Sequence, residues 1–401
     1  MAEGTISLEP AALESRFDFK VIFALLLIHF IGDFYMSFIN PLLPVLAEKL
    51  SLSMTRLGLV TGTSMLMAFI VQPSVGYLSD RYRTRFFILG GPLLSAIFIP
   101  LFGWAAGFSS LIIFTALGSI GQSLFHPPAA GMVPNYAGRR QGFSMALFIL
   151  GGTIAFGVGP VFVTWYVTRF GLSALPWISL LGVAFMLIML ILVPKPEGEG
   201  LKALGLIGSI RDALGPMWKP LTVIWLIIVV RTFVIQSTMT FVPVYFSRQG
   251  YPLVSIGAIL STFVIAGSIS GLVAGYLADR IGYKPVFYTT YILASPCLYL
   301  FLNLKGNWVF LGSFLAGFFT LATLALATAM AQTFVQRGKS LVASLTMGLA
   351  FGTGGILTPL TGKMADTYSI HMVLSVVIWV PLVAAVLIRY LPNPSQLRTR
   401  K

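Results

Sequence analysis

Long apolar stretches divided by short polar turns make up most of this chain. Six fall near 21–44, 55–79, 86–107, 109–133, 142–168 and 173–194, and six more near 220–246, 253–278, 285–303, 308–333, 340–365 and 370–391. Each is about the length an α-helix needs to cross the ~30 Å hydrocarbon layer of a bilayer. Between the two sets stands "PKPEGEGLKALGLIGSIRDALGPMWKP", which reads as a linker with one interfacial helix over 201–214. The pattern predicts an all-α membrane protein with twelve transmembrane helices in two halves, 1–194 and 220–401, joined by a cytoplasmic linker at 195–219.

Composition agrees. At 57% hydrophobic residues and a mean hydropathy of +0.90, the chain carries more apolar side chain than a soluble core could bury. A net charge of +14 raises the question of nucleic acid, but no soluble stretch is long enough to fold and bind it. The basic residues instead sort by side. With the N-terminus inside, nineteen of the 26 lysines and arginines fall in cytoplasmic segments. Six lie opposite (Lys49, Arg56, Arg169, Arg248, Lys305, Lys363) and one, Arg231, lies inside a span. This asymmetry places both termini in the cytoplasm, as expected of a multi-pass protein of a bacterial-type inner membrane. The N-terminal segment carries Glu3, Glu9 and Glu14 and lacks a basic start, so it is not expected to be a removable signal peptide. Cys297 is the sole cysteine, which excludes an intrachain disulfide.

One charged cluster occurs twice. "GYLSDRYRTR" at 76–85 returns as "GYLADRIGYK" at 275–284, each time in the cytoplasmic loop after the second span of a set. The chain therefore reads as a tandem duplication, with parallel halves related by an axis along the membrane normal. Gly76 and Gly275 are expected to let helices approach closely. Asp80 and Asp279 are expected to face helix N-termini or nearby arginines across the seam between halves, an ionic latch that, with Arg81 and Arg280 in the same clusters, gates the cytoplasmic side. The cluster resembles the signature loop of the major facilitator superfamily, Gly-x-Leu-Ala-Asp-Arg-x-Gly-Arg-Lys. The second copy matches through Gly275, Leu277, Asp279, Arg280, Gly282 and Lys284, whereas the first has Arg83 at the glycine position. That resemblance implies the fold and rocker-type transport of the superfamily.

Polar residues within the spans are candidates for the chemistry. Asp33 is the one acidic residue deep in an apolar segment, roughly 18 Å along the first span from Val21. Intramembrane acids mark ion or proton pathways, and His29 stands one turn earlier on the same face. Arg231 lies at comparable depth in the first span of the second half, which suggests either a pair with Asp33 or an anion site. In the fourth span "GQSLFHPPAAGMV" offers Gln122 and His126, followed by Pro127 and Pro128, which are expected to interrupt the hydrogen-bond ladder and free carbonyls near the cytoplasmic half of the helix. His371, beside Asp366 at the outer mouth, reads as interfacial. The glycines of "GGTIAFGVGP" and "GLAFGTGGILTP" suit close helix crossings, and the first resembles the Gly-Pro signature of proton-driven exporters.

Several stretches together resemble the fosmidomycin-resistance branch of the superfamily. They are the His29–Asp33 pair with "PLLPVLAEKLSLS", then "QPSVGYLSDRY", "SLFHPPAAGMV", "GGTIAFGVGP", and "LAFGTGG" near "ADTYSI". The resemblance implies functional roles for His29, Asp33, Gln72, His126 and the cation at Arg231. Pro128 stands where that branch carries an acid. The expected function is a proton-coupled exporter of small amphipathic or anionic organic molecules. Asp33 and His29 would carry the proton, and Arg231, His126, Gln72, Gln122 and Gln236 would form the pocket. The alternatives are a proton symporter taking up a small carboxylate and a non-transporting receptor. No nucleotide loop, metal-spaced His/Cys set or Ser-His-Asp arrangement appears, so neither an enzyme nor a metal site is expected. The expected partners are the small-molecule substrate, protons and the lipid bilayer, with no cofactor beyond the proton gradient, on a monomer.

Overall fold

Asp18 starts the first helix. Its carboxylate accepts from the backbone N–H groups of Lys20 and Val21 at 3.0 and 3.2 Å, filling donors that a helix N-terminus leaves open. From there α1 (Phe19–Met36) and, after a short turn, α2 (Ile39–Lys49) form one apolar rod of 31 residues. The computed structural model describes residues 17–81, 85–194, 218–333 and 348–391. The expected interfacial helix at 201–214 and most of the linker lie outside the described residues.

The first half continues with α3 (Met54–Arg81), α4 (Gly91–Phe98), α5 (Phe108–Ala137), α6 (Gln141–Phe170) and α7 (Ser179–Leu192). A π turn at Phe86–Gly90 precedes α4, and 3-10 turns at Pro100–Trp104 and Leu172–Ile178 shape the outer loops. The second half contributes α8 (Trp218–Arg248), α9 (Leu253–Ile281), α10 (Tyr283–Asn303), α11 (Trp308–Leu321) and α12 (Thr323–Thr333). It ends with α13 (Ala350–Ile356), α14 (Thr358–Thr367), α15 (Ile370–Val377) and α16 (Pro381–Ile388). All regular structure among the described residues is helical, and ten segments are long and apolar enough to cross a membrane. The tenth expected span divides at Ala322 into α11 and α12. The eleventh appears as α13 and α14, with 340–347 outside the described residues.

Large apolar side chains point outward in a way no soluble protein tolerates: Ile191, Leu272 and Leu181 are 85%, 79% and 69% exposed. These faces meet lipid tails. Trp104 and Trp177 pack edge to face at one end of the first half, the kind of position indoles favour at a membrane interface. Pro127 and Pro128 interrupt the hydrogen-bond ladder of the fourth span without ending it, because α5 runs from Phe108 to Ala137. Each proline removes one backbone donor, but its neighbours keep helical geometry.

The second copy of the repeated cluster shows why it holds a glycine. Gly282 ends α9 at φ +87°, a conformation that side chains with a Cβ seldom adopt. The reason given for Gly275 is corrected: a Cβ there would meet nothing within 4 Å, so no helix crosses closely at that point. Close contact between the halves lies at the other end. A Cβ on Gly58 of α3 would sit 2.8 Å from Pro359 Cα of α14.

Above that crossing, Asp366 of α14 caps the start of α3. Its carboxylate accepts from Met54 N at 2.7 Å, Thr55 N at 2.9 Å and Thr55 Oγ1 at 2.6 Å. Deeper on the same side, Thr240 of α8 donates to Thr61 of α3 at 3.0 Å. This end of the molecule, away from the repeated cluster, is thus held shut by hydrogen bonds from α3 to α8 and α14. Burial pushes the Asp366 carboxyl up, but bonds from the Thr55 side chain and from the Thr55 and Met54 backbone outweigh it and hold it below the usual carboxylate range. A group depressed in this way contributes fully above its unperturbed value and loses its contribution only as pH falls through the lowered one. Closure by Asp366 is therefore expected to be insensitive to pH across the neutral range. Asp366→Ala is expected to loosen the outer face, read as faster maleimide labelling of a cysteine at buried Leu57 in a Cys297→Ser background. Equal labelling rates with and without Asp366 would count against the latch.

Candidate functional site

The geometry of α1 brings His29 and Asp33 onto one face, one turn apart, and both side chains are buried, at 6% and 4% exposure. His29 Nε2 lies 3.1 Å from Asp33 Oδ2. Its other ring nitrogen, Nδ1, donates to the Phe148 carbonyl of α6 at 2.7 Å, and the Phe148 ring stacks on the imidazole at 4.3 Å. From α5, Gln122 Nε2 donates to Asp33 Oδ1 at 3.0 Å and His126 Nε2 approaches the same oxygen at 3.6 Å. His126 Nδ1 donates to the Gln122 carbonyl at 2.9 Å. Three of the expected site residues therefore converge on the carboxylate of a fourth, although α1 and α5 are far apart in sequence. A carboxylate withdrawn from water costs several kcal/mol unless such partners are present, and here both oxygens are engaged.

Each Nδ1 gives its hydrogen to a backbone carbonyl, which leaves both Nε2 atoms facing the carboxylate. In the neutral imidazoles, lone pairs would face an anion. The cluster is built to hold positive charge, supplied by protons on Nε2 or on the carboxylate.

Arg231 does not pair with Asp33. It is 4% exposed on α8, donates from one terminal nitrogen to the Leu321 carbonyl at 3.2 Å, and leaves Nε without a partner. That carbonyl is free because the helix divides between α11 and α12, so it lacks the usual helical donor. The Tyr291 hydroxyl of α10 accepts from Thr323 of α12, just beyond that break, at 3.2 Å. No carboxylate among the described residues lies within ion-pair distance of Arg231. The buried guanidinium thus keeps an unused donor at Nε.

The other expected residues spread out. Gln72 on α3 is half-buried and faces Gly348 of the second half, where an added Cβ would lie 3.3 Å from its Oε1. Gln236 is half-buried on α8, one and a half turns from Arg231. Asp279 and Arg280 are exposed at the end of α9; Arg280 covers the Tyr276 ring at 4.4 Å, and Asp279 has no ion pair among the described residues. The side chains of Gly76, Asp80 and Arg81 lie outside the described residues. His371 is exposed and stacks on Tyr245 at 5.7 Å.

Sequence reasoning missed the Phe148 carbonyl, the Leu321 carbonyl and Tyr291. Nothing in residue type announces a carbonyl, and Tyr291 sits in an ordinary apolar run. Gly152 was visible in "GGTIAFGVGP" but only as a small residue for helix crossing. In the fold its missing side chain makes room for the ion pair: a Cβ there would lie 2.5 Å from both His29 Nε2 and Asp33 Oδ2. Gly152→Ala is expected to displace His29 and cut transport at least tenfold, with a fall in thermal stability of ~1–3 kcal/mol from overpacking. Flux and thermal unfolding of the purified variant check this. Wild-type flux in Gly152→Ala would exclude the tight fit.

Comparison with known proteins places these features. A profile of the Major Facilitator Superfamily matches residues 25–267 and 250–401. The fosmidomycin resistance protein of Escherichia coli is 23% identical over 95% of this chain and 94% of its own length. An uncharacterised MFS-type transporter, YfnC of Bacillus subtilis, is 22% identical over 92% of each. Among solved structures, a bacterial homologue of the human lysosomal transporter Spinster superposes with a TM-score of 0.79 over 95% of this chain and 97% of its own, at 14% identity. The nucleoside transporter NupG does so at 0.75 over 93% and 100%, at 17% identity. Profile and relatives alike run through both halves of the chain, which belongs to the major facilitator superfamily and is a multi-pass membrane transporter rather than an enzyme.

Proposed function

We propose that this transporter exports small anionic or amphipathic organic molecules in exchange for protons. The observation that carries the reading is the cluster of buried His29 and Asp33 in the first span with His126 of α5, which needs a positive charge and lies where it can face either side in turn. Arg231, buried in the corresponding span of the second half with an unpartnered Nε, supplies the affinity for an anion. Two relatives with export or resistance in their names support the direction: the fosmidomycin resistance protein and, over 44% of this chain, the multidrug efflux protein YfmO of Bacillus subtilis. In this reading both termini are cytoplasmic in a bacterial inner membrane, and the protein works as a monomer without a cofactor. The halves are 1–194 and 220–401. Asp80, Arg81, Asp279 and Arg280 gate the inner face opposite the Asp366 latch.

A second reading, symport of a small carboxylate into the cell, draws on the same arginine, since a guanidinium suits an anion arriving from either side. Proteoliposomes separate the two. With radiolabelled phosphonate or carboxylate and an imposed pH gradient, antiport accumulates substrate on the acidic side and symport on the alkaline side. Absence of pH-driven movement for every anion tested would reject both.

A further inference from the structure

We infer that His29, Asp33 and His126 form a binding site for a divalent transition-metal ion of the Zn²⁺ type, with one coordination position left open. The inference shares its residues with the proton reading but stands on coordination geometry alone. Two imidazole nitrogens and a carboxylate are a familiar three-ligand set for such ions, whose fourth position takes water or a donor atom of a bound molecule. Their ligand atoms lie within 4.8 Å of one another, with Nε2–Oδ separations of 3.1 and 3.6 Å. Ligands at about 2.0–2.1 Å around a tetrahedral ion stand roughly 3.4 Å apart. The two Nε2–Oδ separations already come close to that spacing, and closing on an ion draws the widest pair in by roughly 1.4 Å at most.

The surroundings are those of a metal site. Ligating histidines generally donate their second ring N–H to a carbonyl or carboxylate, which fixes the tautomer and aims the lone pair. Here His29 Nδ1 is held by the Phe148 carbonyl and His126 Nδ1 by the Gln122 carbonyl, so both Nε2 lone pairs point inward. Gln122 also donates to Asp33 Oδ1, turning the carboxylate toward the histidines. His29 and Asp33 are buried, whereas the His126 side chain is 31% exposed. An ion enters, and the open position lies, on the His126 side. The donor set disfavours Mg²⁺ and Ca²⁺, which require six or more hard oxygen ligands. From sequence no metal site was expected, because the histidines stand on separate segments; the packing of α5 against α1 unites two of them.

Cobalt is a visible probe for this site. Full-length protein purified in detergent through a histidine-free tag and treated with chelator is titrated with Co²⁺. The wild type is expected to bind one ion per chain with the visible d–d bands of a low-coordinate site, which Zn²⁺ bleaches on displacing it. Asp33→Asn and His126→Ala should each weaken binding by ~10- to 100-fold or more, while His371→Ala leaves it unchanged. His126→Cys should retain the ion and add a thiolate charge-transfer band absent from the wild type, a gain that misfolding cannot imitate. Absence of saturable Co²⁺ binding in the wild type overturns the site. So do wild-type affinity in folded Asp33→Asn and His126→Ala, or His126→Cys binding Co²⁺ without the new band. If Co²⁺ binds as stated but no pH-driven flux occurs, the proton reading fails and the metal site stands; flux without Co²⁺ binding gives the converse.

Discussion

Asp33→Asn is expected to abolish pH-driven accumulation while leaving substrate exchange between equal pH values measurable. The substitution separates charge from shape. An asparagine at this position can accept from Gln122 Nε2 through its oxygen and donate from its amide nitrogen to the unprotonated His29 Nε2, which lies 3.1 Å from the carboxylate it replaces. Buried polar groups stay satisfied and the fold is kept. What is lost is the anion that draws a proton into the cluster. Each pH unit across the membrane is worth ~1.4 kcal/mol, or about tenfold in substrate ratio per coupled proton. Without coupling the ratio relaxes to that set by diffusion and membrane potential. Proteoliposomes carrying wild type and variant, assayed with and without a pH gradient, measure the difference. Full gradient-driven accumulation by Asp33→Asn would remove this carboxylate from the coupling step. His126→Gln is expected to act in the same direction but less strongly, since His126 is the more distant and more exposed imidazole.

The second large effect is expected at Arg231. A guanidinium offers two parallel donors to a carboxylate or phosphonate, whereas an ammonium offers a point charge. Arg231→Lys is expected to weaken an anionic substrate by ~10- to 100-fold, corresponding to ~1.5–3 kcal/mol for a charged hydrogen bond, and to spare neutral or cationic compounds. Arg231→Gln should go further and lose anion binding altogether. Because Arg231 and Asp33 share no partner among the described residues, the effects of Arg231→Gln and Asp33→Asn should add. Calorimetry on the wild type, both singles and the double tests this. Recovery of affinity in the double would show that the arginine serves Asp33 rather than a substrate.

Much of this was legible in the residues themselves. Long apolar runs force helices, because a bilayer offers no partner for bare backbone N–H and C=O groups. Asp33 and Arg231 stood out because charge inside such a run is costly and needs a reason. The doubled Gly-x-Leu-x-Asp-Arg cluster exposed the tandem halves, and its second glycine, Gly282, does take a left-handed turn.

Partners were another matter, because they depend on which helix packs against which. Helix α5 brings His126 and Gln122 to Asp33, and α6 brings the Phe148 carbonyl to His29; no spacing along the chain encodes either meeting. Arg231 turned to a carbonyl freed by the division of α11 from α12, because a helix break can be located only once the backbone is placed. Asp366 read as a loop acid at the outer mouth, and only the approach of α14 to α3 made it the cap that joins the two halves. Sequence by itself determined which groups are too costly to leave alone in a membrane; tertiary structure decided what each would be given as a partner, since hydrogen bonds and ion pairs act over a few ångströms and only packing sets such distances.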